Sequence, residues 1–134
     1  MPVEPRISFI TLGVRDLESA TRFYKDTLEL PQLPGGPGVS FFEMGKTWLA
    51  LFPREDLAKD AGVSADGGGF MPIALAHNVR SAEEVDALLA KAIAGGGKLV
   101  KPGQPTFWGG YAGYFADPDG FLWEVAWNAK FPHV

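Results

Sequence analysis

The sequence predicts an α+β fold made of two tandem βαβββ modules. Three observations carry this. A strand, the pair Val14-Arg15 and a capped helix are followed, later in the chain, by a second strand, the pair Val79-Arg80 and a second capped helix. Each of these units then closes on a hairpin, one around Gly45-Lys46 and the other around Asp117-Pro118-Asp119-Gly120. The Phe115 to Trp127 stretch is itself a strand, a turn and a strand. One curled half-sheet cannot bury both of its faces. Two paired halves would cover their helix-side faces and enclose a concave space between the others, giving a cup-like mixed sheet.

The elements follow in order. Arg6 to Val14 is rich in β-branched and aromatic residues and reads as a strand. Its alternation puts Ile7, Phe9, Thr11 and Gly13 on one face and Ser8, Ile10, Leu12 and Val14 on the other. Asp16 is a good N-cap for a helix to about Leu28, with Leu17, Ala20, Phe23, Tyr24 and Leu28 on one stripe. Pro31 and the Pro34 to Gly38 run predict a loop. Val39 to Met44 and Thr47 to Phe52 form the first hairpin. Residues 53–69 are polar and glycine-rich and predict a surface connection, with one short helical turn over Glu55 to Ala61. The two modules therefore span about 5–52 and 70–128 of a single 134-residue domain.

In the second module Phe70 to Val79 is the next strand, and Pro72 puts its start at an edge or bulge. Ser81, with Glu84 three residues on, forms a capping box. The helix it opens carries Val85, Leu88, Leu89, Ala92 and Ile93 as its apolar stripe, and Gly95 to Gly97 stop it. Lys98 to Lys101 is a short strand. Phe107 and Trp108 lie on the loop before the last hairpin. In the final strand Trp123, Val125 and Trp127 share a large apolar face that should meet a helix. Leu122, Glu124 and Ala126 share the other. Glu124 is thus a lone carboxylate among small apolar neighbours, which needs water, a basic partner or a function.

The net charge is −4 and no basic stripe is present, which argues against a nucleic-acid partner. There are no cysteines, so disulfides, thiolate metal sites and a cysteine nucleophile are excluded. No apolar run approaches the ~20 residues that span a bilayer. With no signal-peptide pattern at the start of the sequence, the expected location is the cytoplasm, away from membranes.

The tandem βαβββ order, Thr11 to Leu17 leading into Phe23-Tyr24, and Phe115 to Gly120 followed by Trp123-Glu124-Val125 resemble the vicinal oxygen chelate superfamily, the group of glyoxalases, bleomycin-resistance proteins and extradiol dioxygenases. The resemblance covers nearly the whole chain. It implies a cup whose metal-using versions place ligands at four equivalent positions. Two of these lie seven residues before each helix-opening residue, at Phe9 and Ala74. The others lie four residues after each hairpin glycine, at Leu49 and Glu124. Of this set only Glu124 can bind a cation, and catalytic metal sites normally supply about three protein ligands. No metal and no cofactor is therefore expected. His77 lies three residues past Ala74, on the helix side by alternation. His133 lies in the C-terminal tail.

Two functions are compatible with this reading. The first is a metal-free protein that sequesters a planar or aromatic small molecule, as bleomycin-resistance-type members do. Phe9, Leu49 and Ala74 would line the cup, Phe107, Trp108 and Tyr111 would offer stacking surfaces, and Glu124 would orient the ligand. The second is an enzyme of the lyase, isomerase or dioxygenase kind, with Glu124 as catalytic base or metal ligand and Thr11 or Tyr111 as hydrogen-bond donor. Membership of such a family also implies a homodimer, with the modules pairing within a chain or swapping between chains.

Overall fold

The computed structural model describes residues 2, 4–67 and 69–130. They form two compact units, Met1–Gly67 and Gly68–Val134, each with one four-stranded sheet of the same topology. In each sheet the module's first strand lies at one edge, followed by its fourth, third and second strands. In both, the first strand of the module runs parallel to the last and the remaining pairs are antiparallel. No helix among the described residues is long and apolar enough to cross a membrane.

In the first module β1 (Phe9–Val14) leads to α1 (Leu17–Arg22), whose N-cap Asp16 accepts a hydrogen bond from the Glu18 amide at 3.2 Å. The helix then widens into one π-helical turn, Phe23–Thr27, closed by the Leu28 amide donating to the Phe23 carbonyl at 3.1 Å. The wider turn lets two successive rings, Phe23 and Tyr24, both be buried, meeting edge to face at 5.4 Å. They reach the core of Leu12, Val14, Phe42, Leu49 and Leu51. A two-residue strand, β2 (Gln32–Leu33), sits in the stretch that Pro31 and Pro34 predict to be loop, and it pairs with β3 (Ser40–Met44). The predicted two-residue turn joins β3 to β4 (Thr47–Pro53), with Gly45 at a φ of 70°. The expected short helical turn is a full helix, α2 (Arg54–Ala61). It packs on β1 at Gly13, where an added Cβ would lie 3.2 Å from the Arg54 backbone and the Leu57 side chain.

In the second module β5 is shorter than expected, Ala74–Asn78, because the chain before it, which holds Pro72, does not join the ladder. α2 is followed in the chain by α3 (Ala82–Ala94), opened by Ser81, whose hydroxyl accepts from the Glu84 amide at 3.1 Å. The Glu84 carboxylate in turn accepts from the Arg80 amide at 2.6 Å, one residue earlier than a simple capping box requires. Val85, Leu89 and Ala92 form the buried stripe, Leu88 is half-buried, and Ile93 points outward. β6 (Lys98–Pro105) is longer than predicted because it is irregular, with extra residues on both sides of Lys101.

β7 (Tyr111–Ala116) and β8 (Leu122–Trp127) close on Asp117. One oxygen of its buried carboxylate accepts from the amides of Asp119 at 2.9 Å and Phe121 at 2.8 Å. Trp123 and Val125 are buried on the helix side, as alternation predicts, and Trp127 is half-buried.

Candidate functional site

The cross-strand register decides which side chains share the face of each sheet that points away from its helix. In the first module Phe9 is opposite Trp48, and Thr11 is opposite Ala50, which is opposite Phe41. Phe9, Phe41 and Trp48 form an aromatic cluster with ring centroids 5.7–5.8 Å apart. Leu49 is not in this set. It pairs with Ile10 and Phe42 on the helix side and is 2% exposed. The expectation that Leu49 shares a face with Phe9 is therefore corrected. Counting four residues from each hairpin glycine fails because the two hairpins differ. The first has a two-residue turn between Met44 and Thr47, and the second a five-residue connection between Ala116 and Leu122. By strand pairing, the counterpart of Glu124 is Ala50.

In the second module the open face holds a row of residues that crosses all four strands. Ala76 pairs with Glu124, Glu124 with Tyr114, and Tyr114 with Lys101. Ala74 and Leu122 pair in the adjacent row on the same face. His77 pairs with Val125 and so lies on the opposite face, as alternation predicts. His133 lies outside the described residues. A cleft of about 530 Å³ opens over this face. Phe70, Ile73, Ala74 and Val100 line it, together with the polar groups of Lys101 and Tyr114. Phe70, Ile73 and Val100 are all more than half exposed, so the cleft gathers apolar surface that a folded chain ordinarily covers.

Tyr114 is the polar cleft residue that the sequence reading misses. Burial pushes its hydroxyl pKa up, and the charge of Glu124 pushes it further. It therefore stays protonated near neutral pH and remains a hydrogen-bond donor. Of the two expected donors, Thr11 lies opposite Ala50 on the first sheet, and Tyr111 lies away from the cleft. Its ring shares a face with Phe115, and its hydroxyl donates to Asp86 on α3 at 2.9 Å. That hydrogen bond, followed by slight burial and the negative charges of Asp86 and Glu83, raises the Tyr111 pKa. Phe107 is fully exposed on a turn held by Thr106 and Gly110, and the Trp108 ring packs over Gly110. None of Phe107, Trp108 and Tyr111 lines the cleft.

The positions from which metal-using relatives would draw ligands read Phe9, Ala50, Ala74 and Glu124 after the register correction. One carboxylate with three hydrocarbon side chains does not fit a catalytic metal ion. Nor, among the described residues, do three or more His, Asp or Glu side chains gather elsewhere to hold one.

Two tandem modules with one sheet topology and a carboxylate on the open face of the last strand define the class of tandem βαβββ proteins. The model of the Glyoxalase/Bleomycin resistance protein/Dioxygenase superfamily matches residues 6–125, and the chain belongs to that family. It is 29% identical over 123 residues to the metallothiol transferase FosB of Shouchella clausii, covering 89% of this chain and 77% of that one. The crystal structure of a glyoxalase-related enzyme from Fulvimarina pelagi superposes with a TM-score of 0.89 at 37% identity, over 96% of this chain and 92% of the other. Lactoylglutathione lyase from Agrobacterium tumefaciens shares the fold, with a TM-score of 0.72 at 24% identity, over 97% of this chain and 98% of the other.

Proposed function

We propose that this protein binds a planar or aromatic small molecule on the open face of its second module, without a metal ion. The observation that carries the reading is the cleft itself: an apolar lining that ends on Tyr114 and Lys101, with Glu124 paired to Tyr114 on the same face of the sheet. Ligand sites are typically apolar concavities with a few placed polar groups, and this one has that composition. The ligand-set substitutions support the metal-free part. Phe9, Ala50 and Ala74 supply no donor, so Glu124 is left to meet the ligand directly. The test is elemental analysis of the purified protein after dialysis. The expected result is far less than one equivalent of zinc, nickel, manganese or iron. About one tightly held equivalent would overturn the metal-free reading, since a stable site needs about three to four protein ligands.

The pairing of Glu124 with Tyr114 favours a second reading, proton transfer. Glu124 would take a proton from a carbon next to a carbonyl, and the Tyr114 hydroxyl would donate to the carbonyl oxygen as it gains charge. Two of the relatives are named for reactions, as a transferase and a lyase. Solvent deuterium entering a bound ketone, and lost in Glu124→Gln, would establish this chemistry over sequestration. No exchange in the wild type would leave binding alone.

A further inference from the structure

The irregularity of β6 has a chemical consequence. Leu99 pairs with Phe115 and Lys101 with Tyr114, so Val100 is an extra residue on the edge strand. Regular alternation from Leu99 would put Val100 on the open face and Lys101 on the helix side. The bulge puts both Val100 and Lys101 in the cleft lining. It thereby delivers an ammonium group to the row that already holds Tyr114 and Glu124.

That row has a polarity. Lys101 stands at one end and Glu124 two strands away, a backbone separation of roughly 9–10 Å at the usual interstrand spacing. Tyr114 lies between them. An anionic group is attracted at the Lys101 end and repelled at the Glu124 end. A hydroxyl or amine N–H is accepted at the Glu124 end. Lys101 is the cation among the described residues that line the cleft, so a second anionic group would go unmatched. The cleft beside this row is apolar, with Ala74 and Leu122 in the adjacent row on the same face and Phe70 and Ile73 also in its lining.

From these placements we infer that the ligand is a flat aromatic acid with one anionic group and a hydrogen-bond donor at its far end. The acid lies toward Lys101 and the donor toward Glu124. This rests on the reading of the cleft as the ligand site and adds the class and direction of what it holds.

The test uses the intact, chelator-treated protein and three probes in titration calorimetry: para-hydroxycinnamate, cinnamate, and the uncharged methyl ester of para-hydroxycinnamate. Cinnamate lacks the donor and the ester lacks the anion. The wild type is expected to bind para-hydroxycinnamate tightest. Lys101→Gln should erase its advantage over the ester, and Glu124→Gln its advantage over cinnamate, each by about tenfold for a lost charge-assisted contact. These are ratios between probes on the same protein sample, so a partly folded variant does not distort them. Equal binding of all three probes, unmoved by either substitution, would overturn the ligand class and leave the cleft as a site. No binding of any probe would overturn both.

Discussion

Replacing Trp123 with alanine will destabilise the protein by about 3–5 kcal/mol, in the range for removing a large aromatic side chain from a core. Trp123 is 5% exposed and stacks on Phe115 with ring planes 1° apart and centroids separated by 6.1 Å. Both rings lie on the side of the second sheet that α3 covers with Val85, Leu89 and Ala92. The strands hold the two rings opposite each other, so the space left by the indole cannot close by a side-chain rotation alone. Urea unfolding followed by far-ultraviolet circular dichroism will show the change. A loss below about 1 kcal/mol would mean that this face is not the packed one.

Gly113→Val should cost about 3 kcal/mol, at the upper end for overpacking. A Cβ there would lie 2.6 Å from the Leu89 side chain, 2.8 Å from the Lys101 carbonyl oxygen and 3.0 Å from the Gly103 amide nitrogen. Leu89 can rotate away, but the two backbone atoms belong to β6 and cannot. The strand that carries Lys101 must then move, so this variant should also weaken ligand binding in the cleft. The same unfolding experiment measures the first effect, and calorimetry with para-hydroxycinnamate the second. Wild-type stability in Gly113→Val would show that β6 is not held as closely to β7 as the structure has it.

The parts of the fold that were legible in the sequence have local causes. Asp16 and Ser81 announce the helices because their side chains satisfy amides that a helix start leaves open. Trp123 and Val125 separate from Glu124 because strand alternation has a period of two. The site was less legible because it depends on loop size and register. Leu49 was misplaced by the difference between a two-residue and a five-residue connection. Tyr114 could have been found by stepping outward from both sides of the Asp117 turn, but only with Phe121 counted inside the connection. Tyr111, offered with Thr11 as a donor, adjoins Phe107 and Trp108 in sequence, yet its hydroxyl is engaged by Asp86. Lys101 reaches the cleft through a bulge, and Pro102-Gly103 beside it signals an irregular strand without telling which residues face the cleft.

The central claim is that the open face of the second module is a ligand site that works without metal. Mapping amide NMR shifts as para-hydroxycinnamate is added to chelator-treated protein tests it most directly. The account predicts shifts that saturate and concentrate on Ile73 to Ala76, Val100, Lys101, Tyr114 and Leu122 to Glu124. Shifts centred away from these residues, or shifts that appear only after a divalent metal is added, would contradict it.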